Sequence, residues 1–582
     1  MLRPILILLA AAVLAGCANP AARHAIPPAS AAEGVAERIY FGGTIITIND
    51  AQPSAEAVAI ADGRILAVGD RSDVEARHRG AATEMVDLDG RTLLPGFIDP
   101  HSHFMDALSL ADRVNVSAPP VGTAASAADI VDLLRAAARD KDLAPGELLL
   151  GYGYDENLMP DGQLLSRDLL DAAFPDNPVA VIHVSKHGAV LNSRAFARYG
   201  YADGMPTPPG GVILRKEGTQ ELQGLVMEAG FLPMFSQLPT PGIDTELEAA
   251  RAGQMLYAAA GVTTAQEGAT HAHEVEQLQR IARQGGLFMD LVTYPFILDL
   301  DTVLAANPPS RFGTYSDHLK LGGCKITADG SPQGKTAWFT TPYLTGGPAG
   351  EADWKGEPGL PLDVMLAGVQ KCYDNDLQVL IHGNGDAAID FLIEAHEKAA
   401  RGDLARDRRT VAIHAQFVRP DQLEAFARYG IIPSLFTDHT FFFGDTHIRN
   451  RGLEQASFIS PMRSAYAAGL RPTNHTDAFV VPVNQMMTVW TAVNRTTRSG
   501  VLLGPEERIT PLQALKAITI NAAYQYFEES SKGSIEPGKR ADLVILDADP
   551  LTVEPMSIKD IAVLETIKDG RTIYASTGRE RM

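Results

Sequence analysis

Five residues of types that bind metal ions fall at the ends of segments with strand character. His101 and His103 are two residues apart in LLPGFIDPHSH, and the period of two in a strand places both imidazoles on one face. His382 lies at the end of QVLIHG, His414 lies in TVAIHAQ, and Asp477 ends RPTNHTD. Neutral imidazoles and carboxylates are ligands that suit zinc, and an open coordination position would leave room for water. The spacing therefore predicts a site for a divalent metal ion.

These side chains need a framework that brings distant strand ends together. Strand and helix patterns alternate, which is typical of parallel βαβ units. The strands are predicted near residues 97–103, 262–267, 289–296, 319–327, 378–383, 410–416, 431–435 and 471–477. Eight such units predict an α/β fold, a TIM (β/α)8 barrel over residues 96–529, whose catalytic residues lie at the carboxyl ends of the strands. Lys325 lies late on the fourth of them.

Two further regions stand outside this alternation. Residues from about 104 to 244 are too many for a connection between a strand and its helix, so we expect an inserted subdomain there. Short strands separated by Gly and Asp turns occupy residues 35–95, and similar strands return in residues 530–582. We expect these two segments to form one discontinuous small β-sandwich domain.

The amino-terminal residues have the pattern of an export signal. Residues 1–16 contain Arg3 followed by an apolar run, which predicts a signal peptide and is too short for a transmembrane helix. The sequence LAGC, which ends at Cys17, resembles the bacterial lipobox, and the alternative is an ordinary signal peptide with an incidental cysteine. Residues 17–34 are rich in Ala and Pro and predict a tether. We expect a lipid-anchored protein of the bacterial cell envelope that faces outside the cytoplasm, on the periplasmic or extracellular side.

Composition narrows the class of partner. The 582 residues are 45% apolar and 21% charged, which is typical of a globular protein and excludes a disordered or multi-span membrane protein. The formal net charge of −21 argues against nucleic-acid binding, because an acidic surface repels phosphate backbones. Cys324 and Cys372 lie in apolar patterns, and we expect buried free thiols, although the predicted location would permit one disulfide bond.

The motifs around these residues resemble the amidohydrolase superfamily, specifically amidohydrolase family 3, the branch of N-substituted formamide deformylase-like and imidazolonepropionase-like hydrolases. The resemblance runs from residue 38 to residue 574. It rests on LLPGFIDPHSH, GVTT at 261–264, KITADGSPQGKTA from Lys325, IHGNGDAAID from Ile381, IHAQ at 413–416, HTFFFGDTH at 439–447, TNHTDA at 473–478 and the late GSIEPGKRADLVILD.

The resemblance implies one or two divalent metal ions, with zinc expected. By this resemblance one ion is held by His101, His103 and Asp477, and a second by His382 and His414. Lys325 would be carboxylated and bridge both ions, because an ammonium would be repelled by two cations whereas a carbamate is anionic and offers two oxygens. Asp477 would accept a proton from a metal-activated hydroxide and pass it to the departing amine.

Five more residues are candidates for contacts with the substrate or with a metal ligand. They are Asp99, His187, Asp329, His439 and His475. The first and the last each precede a candidate ligand by two residues and share its face of the strand. His187 lies in SKHGAVLNS, which resembles the family segment that carries a pocket histidine, and Asp329 follows Lys325 in a loop. His439 lies beside three phenylalanines, for which packing under a lid is an equal interpretation.

Together these features predict a metal-dependent hydrolase of C–N bonds. The expected substrate is a small-molecule amide that is not a peptide, either an N-acyl or an N-formyl amine. The first alternative is a deaminase or cyclic-amide hydrolase that uses the same site. The second alternative is a regulatory or solute-binding lipoprotein without turnover, and the full ligand set argues against it.

Overall fold

Residues 34–110, 113–160, 164–239 and 241–576 are described by the computed structural model. The predicted signal peptide (1–16), the predicted lipid attachment at Cys17 and the predicted tether up to residue 33 lie outside these residues. Within the described ranges, no helix is both long enough and apolar enough to cross a membrane.

Eight parallel strands form the centre of the structure, and we call them the central strands. In chain order they are Phe97–Ile98, Val262–Thr270, Asp290–Pro295, Leu319–Leu321 with Gly323–Thr327 as the fourth, Gln378–Gly383, Val411–His414, Ile432–Leu435 and Thr473–Asn474. Within two sheets, each central strand pairs in parallel with the next one in chain order. The first sheet ends at Leu319–Leu321 and the second begins at Gly323–Thr327, the two parts of the fourth strand. All six residues of Gln378–Gly383 are buried, as expected for a parallel strand that is covered on both faces.

Hydrogen bonds also join the edges of these two sheets. A parallel bridge between Phe296 and Lys325 connects the third central strand to the fourth. Where the eighth strand meets the first, the backbone N–H of Asp477 donates to the carbonyl of His101 at 3.1 Å, and that of His103 donates to the carbonyl of Ala478 at 3.0 Å. The residues that follow the first and eighth strands are therefore neighbours.

Helices cover the outside of the central strands. They are Phe104–Ser109, Glu246–Ala259, Ala272–Arg283, Leu300–Ala306, Leu362–Asp374, Asp386–Ala400, Pro420–Tyr429, His439–Phe442, Gly444–Arg451, Leu453–Ser457, Met462–Ala467, Gln485–Asn494, Pro511–Ala517 and Ile520–Gln525. Apolar side chains of most of these helices and of the central strands belong to the largest buried cluster of the described chain, whereas Ile448 and Ala456 belong to a smaller one.

Strands from both ends of the chain share one further sheet. Its strands are Arg38–Ile46, Ser54–Ala61, Arg64–Gly69, Glu84–Asp87, Thr92–Pro95, Leu543–Leu546, Val563–Lys568 and Arg571–Ala575, and the helix Arg71–His78 packs beside them. Leu543–Leu546 pairs antiparallel with Thr92–Pro95 on one side and with Val563–Lys568 on the other. The sequence predicts a β-sandwich here, whereas in the structure the hydrogen bonds connect all eight strands into one continuous sheet.

A buried set of ion pairs lies where this sheet meets the amino ends of the third and fourth central strands. We call it the amino-end network, and its members are Asp290, Lys320, Glu528, Lys532, Asp542 and Lys568. Lys532 Nζ lies 2.6 Å from Asp290 Oδ2 and 2.7 Å from Glu528 Oε2. Lys568 Nζ lies 2.9 Å from Asp290 and 3.0 Å from Asp542, and Lys320 pairs with Glu528. Every charge in this network therefore has a partner of opposite sign.

Residues between the first two central strands form a separate six-stranded sheet. Its strands are Val114–Asn115, Leu149–Tyr154, Val179–His183, Gly188–Leu191, Gly211–Arg215 and Leu222–Glu228. The accompanying helices are Ala127–Asp140, Arg167–Ala173, Ser193–Tyr199 and Leu232–Phe235. This region has buried apolar clusters of its own, around Ile130 and Leu170 on one face and around Ile182 and Val226 on the other.

The prediction of two free thiols is wrong. Cys324 and Cys372 form a disulfide bond that links the fourth central strand to the helix Leu362–Asp374. The apolar pattern around each cysteine correctly indicates burial, since both are fully buried. The apolar pattern does not show which side chain of the helix faces the strand. Whether the two sulfur atoms come close enough to bond depends on this contact between the helix and the strand.

Candidate metal centre

Six side chains converge where the central strands end. They are His101, His103, Lys325, His382, His414 and Asp477, and we call them the carboxyl-end cluster. His101 is fully buried, and its Nδ1 lies 2.6 Å from the side-chain oxygen of Gln266. Because that oxygen can only accept, Nδ1 carries the proton and Nε2 keeps its lone pair. The Gln266 amide nitrogen donates in turn to the carbonyl of Pro100 and to the Tyr526 hydroxyl, which fixes its orientation.

Asp477 lies among three imidazoles. Its Oδ1 is 3.5 Å from Nε2 of His101 and 3.3 Å from Nε2 of His103, and its Oδ2 is 3.9 Å from Nε2 of His414. Oδ1 is buried and has no hydrogen-bond partner among the described residues. The backbone of Asp477 has a φ of 49°, and that of His414 a φ of 68°. Such left-handed conformations in residues other than glycine cost energy, and they concentrate at functional sites.

The histidines of the fifth and sixth strands contact each other, and polar side chains orient the ring of the second. The rings of His382 and His414 are 4.7 Å apart at 83°. Nδ1 of His414 lies 3.0 Å from Nε2 of His475, whose Nδ1 lies 3.0 Å from the Ser434 hydroxyl. This chain of polar contacts fixes the His414 ring and leaves its Nε2 facing Asp477.

Asp329 organises the loop behind His382. Its carboxylate accepts hydrogen bonds from the backbone N–H groups of Trp338, Asn384 and Gly385 at 2.8–2.9 Å. Oδ1 of Asp329 also lies 3.3 Å from Nε2 of His382. A fully buried carboxylate with three backbone donors is a rigid support, so Asp329 positions the ring next to it.

Lys325 is buried, and its Nζ lies 3.2 Å from Nε2 of His101. Among the described residues no carboxylate lies within ion-pair distance of it. Burial lowers the pKa of Lys325 to about 7, so a large fraction of the amine is uncharged at neutral pH.

Burial also controls the charge of the imidazoles and of Asp477. It holds the pKa of His101 and of His414 well below the ordinary value, so both rings are neutral. For Asp477, burial alone would raise the pKa, but the nearby side chains of His103, His414 and His101 lower it well below its usual range. The cluster thus combines one carboxylate with neutral imidazoles, the donor set that zinc prefers.

These residues fit a divalent cation. One ligand atom from each of His101, His414 and Asp477 lies within 4.8 Å of the other two, and Oδ1 of Asp477 has no hydrogen-bond partner among the described residues. A second group of this kind, Asp155, Glu156 and His183, differs from the first. There Nε2 of the histidine already pairs with the glutamate at 2.6 Å, and its Nδ1 with the Ser185 hydroxyl at 2.7 Å.

The remaining predicted residues lie at different distances from the cluster. Asp99 is fully buried, accepts a hydrogen bond from the Thr476 hydroxyl at 2.5 Å and links the first strand to the eighth. Burial raises its pKa to about 7. His187 comes from the six-stranded region, and its ring lies 5.2 Å from that of His382. His439 contacts His447 at 3.0 Å, and within the described chain it does not line the cavity over the cluster.

That cavity has a volume of about 180 Å³ and includes residues that sequence reasoning missed. Glu267 lines it, and its Oε1 is 3.7 Å from Nδ1 of His103. Glu228 lines it too, and its Oε2 is 3.0 Å from Nδ1 of His187. The end of the GVTTAQE strand could have indicated Gln266 and Glu267, since strand ends carry the other site residues. No sequence signal pointed to Glu228, because its partner lies 41 residues away.

Most of the chain matches known protein families. Residues 84–574 match the model of a family described as the amidohydrolase family, and residues 57–81 match a bacterial imidazolonepropionase-like composite domain. The chain is 27% identical to the N-substituted formamide deformylase of Arthrobacter pascens, over 93% of this chain and 98% of that protein. It is 28% identical to the protein LONG AFTER FAR-RED 3 of Arabidopsis thaliana, over 94% and 93%.

A solved structure shares the fold. It is the crystal structure of an uncharacterized metal-dependent hydrolase from Pyrococcus horikoshii OT3, with a TM-score of 0.69 and 22% identity. The match covers 89% of this chain and 99% of the other. At this identity the similarity concerns the fold.

Proposed function

Since the chain belongs to the amidohydrolase family and is therefore a hydrolase, we propose that it hydrolyses C–N bonds of small non-peptide amides with the help of one or two divalent metal ions. The observation that carries this proposal is the carboxylate oxygen Oδ1 of Asp477, which has no hydrogen-bond partner among the described residues and lies next to the imidazoles of His101 and His103. His101, His103 and Asp477 would hold one ion, and His382 and His414 a second. Zinc is the expected metal, because imidazole and carboxylate donors suit it.

A bound divalent cation polarises a scissile carbonyl and lowers the pKa of a water molecule. The chain's own residues supply the rest of the chemistry. With Oδ1 directed at His101 and His103, Asp477 retains Oδ2 as the atom that takes the proton of the attacking water. The same oxygen then returns the proton to the nitrogen of the departing amine.

Lys325 would connect the two ligand sets as a carbamate. Its amine is uncharged in part at neutral pH because burial lowers the pKa to about 7, and an uncharged amine can add to carbon dioxide. The addition forms a C–N bond and releases one proton. The resulting carbamate is an anion with two oxygens, so it could serve both ligand sets, whereas an ammonium beside His101 would repel a cation.

The test combines metal analysis with a hydrolysis screen. The purified protein should contain at least one equivalent of metal, a chelator should abolish hydrolysis of N-acyl or N-formyl amines, and added zinc should restore it. Stoichiometric metal without hydrolysis across a broad amide panel would favour a solute-binding or regulatory role instead.

We also propose the architecture and location that go with this activity. The central strands would form a closed (β/α)8 barrel within residues 96–529, with an inserted subdomain at about 104–244 and a small domain built from 35–95 and 530–582. The hydrogen bonds between the residues after the first and eighth strands support closure of the barrel.

The proposed location is a bacterial membrane, through lipid on Cys17. The disulfide bond between Cys324 and Cys372 supports an oxidising compartment, because such bonds persist outside the cytosol. Changing Cys17→Ser should release the protein from membranes or block its processing. Membrane association that is unchanged in Cys17→Ser would contradict the anchor.

A further inference from the structure

The cavity over the carboxyl-end cluster has an apolar wall. Met105, Phe231, Leu232, Phe235 and Phe296 contribute to it, and three of these come from one short segment of the six-stranded region. The aromatic rings are in mutual contact. Phe231 and Phe235 are 5.8 Å apart, His271 lies 5.3 Å from Phe235, and Phe296 lies 6.1 Å from His271. Contacting rings of this kind form a continuous surface that favours an apolar or aromatic ligand group.

The size of the cavity limits this group. A dry apolar cavity of about 150 Å³ in another protein accommodates a benzene molecule. The cavity here has about 180 Å³ and also includes the space next to the cluster. It therefore has room for roughly one six-membered ring together with a small carbonyl group.

Outside the carboxyl-end cluster, the basic side chains that line the cavity are paired with acidic ones. Lys186 pairs with Asp106, which also accepts from Arg113 at 2.8 Å. His187 pairs with Glu228 at 3.0 Å. Among the described residues, a substituent with a carboxylate would find no cation along this wall that lacks an acidic partner, apart from Lys325 in the cluster itself.

The carboxylates next to the wall are engaged as well. Glu267 accepts from the backbone N–H of Met105 at 2.6 Å, and Glu274 accepts from that of His271 at 2.8 Å. An ammonium group on the substituent would have to compete with these backbone donors and would lose its water on entry. Burial of a charge without a dedicated partner is costly, so neither sign of charge is favoured at the wall.

We propose that the substrate is an uncharged amide carrying one apolar substituent of about the size of a single ring, which packs against Phe231, Leu232 and Phe235. This inference rests on the proposed function, since it names the class of amide that the site accepts. It assigns specificity to the segment 231–235.

Equilibrium binding tests the proposal without turnover. The probe is 1-phenylpropan-2-one, a ketone in which CH2 replaces the N–H of an aryl amide, so it cannot be hydrolysed. Its Kd is measured by calorimetry with the full, metal-loaded chain. Two analogues carry a carboxylate or an aminomethyl group at the para position. The neutral ketone should bind at least about tenfold more tightly than either analogue, and equal or tighter binding of a charged analogue would overturn the proposal.

Two variants locate the ring on the wall. Phe235→Ala and Leu232→Ala should each raise the Kd of the neutral ketone about tenfold. Leu247→Ala is the matched control, because Leu247 and Leu232 have the same exposed fraction of 38% and Leu247 does not line the described cavity. Melting temperatures verify folding, and Leu232→Ala decides the result if Phe235→Ala does not fold. A wild-type Kd in Leu232→Ala would contradict the assignment of the wall.

The failure of this proposal differs from the failure of the proposed function. Hydrolysis of amides with charged substituents, but not of neutral aryl or cycloalkyl amides, would overturn the proposal and keep the function. Tight, wall-dependent binding of the neutral ketone by a protein that hydrolyses no amide would keep the assignment of the wall and reject the function.

Discussion

Two buried lysines, five residues apart on the fourth central strand, have opposite surroundings. Lys320 belongs to the amino-end network, where it pairs with Glu528 and also donates to the carbonyl of Tyr526 at 3.0 Å. Lys325 belongs to the carboxyl-end cluster and contacts Nε2 of His101 at 3.2 Å. The exposed fractions are 3% and 2%, so burial does not distinguish them. The two lysines differ in that Lys320 has a carboxylate partner, whereas Lys325 has none among the described residues.

The same contrast holds for the two regions as wholes. In the amino-end network each buried charge has a partner, and such a set stabilises the fold only while it is complete, because removal of one partner leaves a buried charge uncompensated. In the carboxyl-end cluster Oδ1 of Asp477 has no hydrogen-bond partner among the described residues, and Lys325, which contacts His101, has no acidic partner there. Burial alone is therefore a poor indicator of a functional site, whereas burial with missing partners is a good one.

The largest expected effect comes from exchanging the two lysines for alanine. Lys325→Ala should lose bound metal and measurable hydrolysis, and short carboxylic acids should restore part of both by replacing the carbamate. Lys320→Ala is the matched control. It should keep its metal and its kcat, while the free energy of unfolding falls by about 1.5–3 kcal/mol, because Glu528 loses Lys320 but keeps Lys532 as a partner. Metal content, kcat and denaturant unfolding measure these outcomes, and full activity in Lys325→Ala would remove the distinction between the regions.

Asp477→Asn should lower kcat by at least about 100-fold, because the amide cannot take the proton of the attacking water. Some metal should remain, since the amide oxygen can still act as a ligand. Asp438→Asn is the control and should keep the wild-type kcat. Asp438 is also buried near a strand end, but its carboxylate accepts hydrogen bonds from the hydroxyls of Thr488 and Thr491 at 2.7–3.0 Å. A wild-type kcat in Asp477→Asn would assign the proton transfer to another residue, and His475 would be tested next.

Gln266→Ala should weaken metal binding about 10–100-fold, which is the usual effect of losing a partner that orients a metal ligand. Without the Gln266 oxygen, the His101 ring can rotate and Nδ1 no longer holds its proton in a fixed direction. Competition with a chelating dye measures the Kd for zinc. An unchanged Kd would mean that packing alone orients His101.

The smallest effect is a dependence of stability on pH. Burial alone would raise the pKa of Glu528, but Lys320 and Lys532 lower it below its ordinary value. A lowered pKa in the folded state stabilises the protein above the ordinary value of about 4.3 and loses this contribution as the pH falls below it. The difference in melting temperature between wild type and Glu528→Gln should therefore shrink from pH 6 to pH 3. Glu424→Gln, at an exposed position, should match wild type throughout.

The sequence allowed the carboxyl-end cluster to be predicted because each of its members lies at or near a strand end. The strand pattern gave the position of His382, and the parallel alternation implied that His382 and His414 would be neighbours, as their adjacent strands are. Their roles as metal ligands stay predictions. Family 3 membership was also predicted and is confirmed by the match over residues 84–574.

Other features could not be predicted because they depend on contacts between distant segments. The amino-end network joins Asp290 to Lys568, and no local pattern in either segment indicates the other. The disulfide bond needs one sulfur atom of the helix Leu362–Asp374 to face the strand. Phe235 is one apolar residue among many in the sequence, and only its position beside His271 and the cavity gives it a proposed role.

The shared sheet has a consequence for how the chain is made. A ribosome releases the amino-terminal strands first, yet Leu543–Leu546, which pairs with Thr92–Pro95, is synthesised more than 400 residues later. Lys568 and Glu528, which pair with Asp290 and Lys320 respectively, are likewise synthesised after them. A nascent chain therefore cannot complete this end of the molecule while translation continues. Premature termination before residue 528 would leave the strand Thr92–Pro95 without its partner Leu543–Leu546, and Asp290 and Lys320 without the charges of Lys568 and Glu528.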